Sequence, residues 1–376
     1  MNLSRSSVLV FFATIIVLGL SAGAQTTNSI TEKNWLKAEN IRLAMRTVCA
    51  YAASHPGGTQ GDFDKGTDNG WVRSSFFLGV VESYRATGEP SYLKLATEWA
   101  GKNHWQPGPR PRHADDQCCG QAYLVLNELS PSPEKIAGIK ARIDSLISDP
   151  KPGREDWSWC DALFMAPPVF AQLGRATGDP QYFTVLDQMY WDATDFLFDK
   201  EAGLFYRDSR YFTQRDKNGG KIFWSRGNGW VMAGLVRVLN YLPQTDPRHG
   251  DYEKLFKRMA SSLAPLQGSD GLWRTNLLDP SEFPEPETSG TGFFCYALAW
   301  GVNQGLLPRA TCEPITNRAW VALCRNIQAD GKIGWVQVIG TRPAPVMADN
   351  TQDYAAGAFL LAGTEILRLV ETPEAH

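Results

Sequence analysis

Apolar residues recur along this chain at helical spacing, and alternating strand-like patterns are scarce. Twelve runs carry the helical pattern: 33–54, 72–87, 91–102, 117–129, 133–147, 162–176, 181–196, 229–242, 251–265, 290–304, 309–326 and 353–370. Apolar positions at i, i+3, i+4 and i+7 line one face of a helix, so each run predicts one. Two joints between runs repeat. Arg85-Ala86-Thr87-Gly88-Glu89-Pro90-Ser91-Tyr92 returns 90 residues later as Arg175-Ala176-Thr177-Gly178-Asp179-Pro180-Gln181-Tyr182. Glycine ends a helix and an acid-Pro pair opens the next, so each copy predicts the corner of a helical hairpin. A 90-residue step holds about two hairpins of ordinary length.

Twelve helices in antiparallel pairs predict an all-α (α/α)6 barrel. Asp270-Gly271-Leu272-Trp273-Arg274, Ala202-Gly203-Leu204-Phe205-Tyr206-Arg207 and Asp330-Gly331-Lys332-Ile333-Gly334-Trp335 each set a glycine turn before aromatic or apolar residues. They read as short β-ribbons in the loops. No linker rich in Pro, Gly and Ser interrupts the pattern, so one domain is expected. The long loops, 103–116, 150–161, 202–229 and 268–290, carry Trp, His, Asp, Glu and Arg. A functional site is expected there.

The first residues break the pattern. Arg5, an apolar run from Val8 to Leu20 and Ala22-Gly23-Ala24 read as a secretory signal peptide over 1–24. That leaves 25–376 as a single domain of an exported protein, periplasmic or secreted. The run is short for a membrane anchor, and no later stretch is apolar enough to span a bilayer. The net charge is −3 with no basic runs, which gives nucleic-acid binding no electrostatic support. Thirteen tryptophans lean toward carbohydrate. Seven cysteines leave at least one thiol free, and Cys312 with Cys324 is the expected pair. No Cys/His cluster has zinc spacing, and no cofactor is expected. Oligomeric state is not legible.

Three clusters carry candidate chemistry. Asp161 sits between Trp157 and Trp159 on one side and Leu163-Phe164-Met165 on the other. A carboxyl among large apolar side chains is costly to ionise, so its pKa should rise and it should serve as a proton donor. The competing reading makes it the N-cap of the helix at 162. Arg110-Pro111-Arg112-His113-Ala114-Asp115-Asp116-Gln117 opens another helix. Its acids read either as capping groups or as a second functional carboxyl, with Asp115 preferred and His113 and Asp116 beside it. Trp224-Ser225-Arg226-Gly227-Asn228-Gly229-Trp230 offers a guanidinium fork for a carboxylate, glycines for close approach, and two indoles to flank a sugar ring. Its competing reading is a loop with a buried, locally paired arginine. Glu287-Thr288-Ser289-Gly290-Thr291 reads as a capping segment or a polar mouth.

Together, Trp-x-Asp-x-Leu-Phe-Met, Ser-Arg-Gly-Asn-Gly-Trp and Glu-Thr-Ser-Gly-Thr resemble the unsaturated uronyl hydrolases, glycoside hydrolase families 105 and 88. The unsaturated rhamnogalacturonyl hydrolases are the nearest in kind. The resemblance runs from about Trp35 to Leu369. It implies an (α/α)6 barrel acting on an oligosaccharide that a polysaccharide lyase has produced. It implies removal of the terminal 4,5-unsaturated uronic acid by protonation at C4 and water addition at C5. It places Asp161 at the principal acid/base position and Asp115 at the second acid. Trp159 and Trp230 fall at ring-contacting positions and Arg226 at a substrate-contacting arginine. Two departures touch the substrate pocket. Arg207 stands where many members carry histidine, and Phe76-Phe77 where tyrosine is frequent. The rivals are a conventional inverting glycosidase, a sugar epimerase short of histidine bases, and a non-catalytic glycan-binding barrel.

Overall fold

The computed structural model describes residues 34–58 and 68–372. The predicted signal peptide lies outside the described residues. All twelve predicted runs fold as helix. In chain order the helices are α1 (Ala38–Ser54), α2 (Trp71–Thr87), α3 (Pro90–Lys102), α4 (Cys119–Leu129), α5 (Pro133–Ser148), the single turn α6 (Gly153–Asp156), α7 (Ala162–Met165), α8 (Pro167–Thr177), α9 (Gln181–Leu197), α10 (Ser225–Leu239), α11 (His249–Leu263), α12 (Thr288–Asn303), α13 (Arg309–Arg325) and α14 (Asp353–Glu371). The run at 162–176 divides into α7 and α8 because Pro167 and Pro168 lack backbone donors and fit only a first turn.

Burial separates two rings. On α11 only a stripe is buried: Tyr252, Leu255, Phe256, Met259, Ala260 and Leu263. On α12 every residue from Thr288 to Val302 is buried. The first is an outer amphipathic helix, the second an inner one covered on all sides. Inner helices α2, α4, α8, α10, α12 and α14 contact one another in that order, and α14 closes on α2. Helices α1, α3, α5, α9, α11 and α13 pack outside them. This is the six-hairpin helical barrel that the periodicity predicts.

The two repeated joints have one geometry. Gly88 and Gly178 end α2 and α8 with φ of 70° and 74°, where a Cβ is strained. Thr87 and Thr177 each donate to the carbonyl four residues back and accept from the amide two residues on. Both joints lead from an inner helix to the next outer one, and α4 lies between them, which is the predicted step of two hairpins.

Of the expected ribbons, one pairs as strands. β1 (Phe198–Asp199) runs antiparallel to β2 (Leu204–Phe205). The other two reduce to single bridges, Trp273 with Glu287 and Ile327 with Ile333. The expected disulfide is absent, and all seven cysteines are buried free thiols. Cys312 and Cys324 share α13, where twelve residues of helix separate them by about 18 Å, beyond disulfide reach. Among the described residues, no helix is long and apolar enough to cross a membrane.

Candidate active site

Because outer and inner helices alternate, all six inner helices run the same way. Their N-terminal ends share one end of the barrel, and the long predicted loops lead into them. The 3-10 turn Ala114–Gln117, which carries Asp115, packs against α7, which follows Asp161. The two loops also touch directly: the His113 ring lies 4.9 Å from the Trp159 ring, centroid to centroid. Each of these rings precedes its acid by two residues.

Asp161 makes no capping hydrogen bond, so the N-cap reading falls away. The residue is 9% exposed. Its setting is not the wholly apolar pocket that its neighbours in sequence predict. Arg207 Nε lies 3.3 Å from Asp161 Oδ2, and the Cys160 thiol donates to the same oxygen at 3.6 Å. Backbone pairing brings Arg207 there: Trp159 bridges Asp208, and the Cys160 amide donates to the Arg207 carbonyl at 2.8 Å.

Arg207 in turn donates to Asp208 at 2.8 Å. Asp208 also accepts from the Arg210 amide and guanidinium. Burial pushes the Asp208 carboxyl up, but the contacts from Arg210 and Arg207 outweigh it and hold the group below its ordinary value. Burial works against the Arg207 charge, and Asp161 and Asp208 more than offset it, holding the guanidinium above its ordinary value. Arg207 is thus an obligate cation with 19% of its side chain exposed.

In the other loop, Asp115 Oδ2 lies 3.5 Å from His113 Nδ1 and 3.9 Å from Arg110, with 18% of the side chain exposed. The adjacent acid behaves differently. Asp116 is buried, and its carboxylate accepts from the Arg110 backbone amide, from Arg110 Nε at 3.0 Å and from Arg110 Nη2 at 2.7 Å. Asp116 is therefore corrected from a substrate contact to a brace of the loop. Asp115 is the acid that keeps access.

The Trp224–Trp230 cluster is also corrected. Arg226 is 1% exposed and donates to the carbonyls of Gln337 and, at 3.0 Å, Val338. Its guanidinium is sandwiched between the Trp224 and Tyr354 rings, 4.5 and 4.8 Å from their centroids. It pins the 337–338 segment through both terminal nitrogens, its Nε is buried without a partner, and its burial keeps it from a substrate carboxylate. Trp224 is buried and donates to Gln337 at 2.6 Å. Trp230 is fully buried against Phe164 and Phe293, so it cannot stack on a sugar. Phe77 lies in the core, stacked on Trp99. The motif still shapes the site, because a Cβ on Gly227 would stand 3.0 Å from the sulfur of Cys160, the residue before Asp161.

Sequence reasoning missed Trp71. It opens α2 at the same end of the barrel, is half-buried, and stacks on Tyr354 at 5.4 Å. Its place at the start of an inner helix, right after Asn69-Gly70, was the available signal. Among the described residues, the carboxylates of Asp216, Asp279 and Glu282 lie close enough to share a cation. They belong to surface loops and already accept hydrogen bonds from Asn218, Gly220, Ser281 and Asn276.

Known proteins share this architecture. The Unsaturated 3S-rhamnoglycuronyl hydrolase of Formosa agariphila is 36% identical over 95% of this chain and 98% of its own. The solved structure of a glycosyl hydrolase family 88 protein from Bacteroides vulgatus superposes with a TM-score of 0.82 at 33% identity, over 88% of this chain and 99% of that one. A solved chain named as a polysaccharide lyase superposes with a TM-score of 0.83 at 34% identity, over 90% of this chain and 99% of that one. Residues 44–370 match Glycosyl Hydrolase Family 88, and the chain belongs to that family.

Proposed function

We propose that this glycoside hydrolase removes the 4,5-unsaturated uronic acid from the non-reducing end of lyase-generated oligosaccharides, with a rhamnose-type sugar as its neighbour. The observation that carries the reading is the meeting of two acid-bearing loops, His113 against Trp159, with Arg207 against one of the acids. The name of the Formosa relative supports rhamnose on the reducing side. Rhamnogalacturonan fragments are the favoured source. The predicted leader at 1–24 makes export part of the same reading.

Asp161 and Asp115 are the two catalytic carboxyls. Asp161 delivers the proton to C4 of the enol ether, and Asp115, oriented by His113, places water toward C5. The hydrated sugar is a hemiketal at C5, which opens and releases the neighbouring sugar, with one water consumed in all. Arg207, rather than Arg226, takes the uronate carboxylate. Its Nη1 donates to Asp208, its Nε faces Asp161 as an ion pair without a hydrogen bond, and Nη2 has no partner among the described residues. Trp71 and Trp159 are two half-buried indoles at this end of the barrel that can meet the ring.

The test is ultraviolet absorbance of the conjugated uronate across a panel of unsaturated disaccharides and their saturated counterparts. Loss of absorbance on a rhamnose-linked member, with no turnover of its saturated form, is expected. A gain of absorbance on intact polymer would make the chain a lyase. Equal rates on saturated substrate would make it a conventional glycosidase.

A further inference from the structure

The far end of the barrel holds a second charged cluster that the proposed reaction does not use. A cavity of about 260 Å³ lies among the C-terminal turns of the inner helices. Its charged lining is Glu82 and Arg85 from α2, Glu128 from α4, Arg175 from α8, Arg237 from α10, and Glu365 and Arg368 from α14. Arginines near helix C-termini are favoured by the exposed carbonyl dipoles. Here, however, four arginines face three glutamates.

The pairing leaves donors over. Arg237 donates to Glu82 through Nη1 and to Gln121 through Nε. Arg85 lies 3.6 Å from Glu82 and 3.5 Å from Glu128, and Arg368 donates to Glu365 at 2.7 Å. Arg175 has no acceptor among the described residues. Arg237 is 2% exposed, and its Nη2 is buried without a hydrogen-bond partner. A buried guanidinium nitrogen is costly to leave unpaired. Burial pushes the Glu128 and Glu365 carboxyls above their ordinary values, while at Glu82 burial is outweighed by Arg237 and Arg85, which hold it below its own.

We propose that this cavity is an anion site, which takes a small oxyanion of the phosphate or sulfate type between Arg237 and Arg175. Guanidinium forks match such oxygens in pairs. The site is independent of the carboxylates at the opposite end.

The experiment is isothermal titration calorimetry of the full chain with inorganic phosphate, and separately with sulfate, at low ionic strength. Saturable binding of one anion per chain is expected. Arg175→Gln, an exposed position, should weaken it about tenfold, the loss of one charge-assisted contact, and leave turnover of the unsaturated disaccharide unchanged. Arg237→Lys should weaken it further, and Arg207→Gln should not affect it. No saturable heat with either anion overturns the proposal. So does full binding in Arg175→Gln, or loss of binding in Arg207→Gln, which would move the anion to the catalytic end. If Arg237→Lys fails to fold, Arg175→Gln and Arg207→Gln decide the matter.

Discussion

Arg207 Nε stands 3.3 Å from Asp161 Oδ2, while the Arg207 Nη1 is held at 2.8 Å by Asp208. One cation is thus shared by two acids that the chain supplies from different loops. Asp208 is itself fixed by Arg210, so the guanidinium arrives at Asp161 already oriented. The arginine braces the Asp161 carboxyl, and in the proposed reaction the same charge meets the acidic substrate.

The role of Asp161 separates cleanly from a structural one. Its side chain caps nothing and takes no hydrogen bond from Arg207, which stays paired with Asp208, so Asp161→Asn should shift the melting temperature little. Loss of the proton-transfer group should lower kcat by about 10²–10⁴-fold. Rates followed by ultraviolet absorbance, together with a thermal melt, check both halves. A variant with wild-type turnover would remove Asp161 from the chemistry.

The neighbouring acids should split in kind. Asp115→Asn should lose turnover and keep its stability. Asp116→Asn should keep turnover and lose about 1–3 kcal/mol of stability, because it breaks a buried charge-assisted network with Arg110. Chemical denaturation and kcat on both variants read this out. The opposite assignment follows if Asp116→Asn is the inactive one.

Carboxylate recognition should follow Arg207. Arg207→Gln should lower kcat/KM on the free-acid substrate roughly ten- to a hundredfold, and much less on its methyl ester. Arg207→Lys should recover part of the loss, since an ammonium keeps the charge but cannot face Asp208, Asp161 and the substrate at once as the planar guanidinium does. Arg226→Gln should instead destabilise the chain by about 3 kcal/mol, with buried carbonyls left unmatched. It should leave the acid-to-ester ratio unchanged. Arg226→Gln altering that ratio with a normal melt would restore Arg226 to the substrate.

Asp187 supplies a pH-dependent term away from the site. Burial pushes its carboxyl up to about 6, against a hydrogen bond from Tyr252. A carboxyl raised above its unfolded value of about 3.9 favours the folded state when protonated. That benefit is present below about pH 4 and is lost as pH rises through about 6. Asp187→Asn should therefore stabilise the chain at pH 7, by about 1 kcal/mol once solvent screening at this half-buried position is allowed for. It should change little at pH 4. Equal effects at the two pH values would remove Asp187 as the cause.

The sequence by itself determined the helices, the hairpin corners, the barrel class and the loops that hold the site. Those features depend on residues within a turn or two of each other. Apolar periodicity marks the helices and a glycine with positive φ marks the corners at Gly88 and Gly178, while periodicity alone runs straight through the Pro167-Pro168 break between α7 and α8. The family motifs offered Asp161 and Asp115 as candidate acids, and the fold brings their two loops together. Tertiary structure alone decided what each polar group in those loops faces. Arg226 and Trp224 read as substrate contacts until residue 337, 111 and 113 positions away, is seen to occupy them. Trp230 reads as a ring contact and Phe77 as a substrate-pocket residue until ring closure buries them in the core. Arg207 becomes the partner of Asp161 only because an antiparallel bridge lays Asp208 against Trp159. A guanidinium or an indole can serve a core as well as a substrate. The choice is made by which distant backbone carbonyls and rings surround it after the barrel closes, and local pattern carries no record of that.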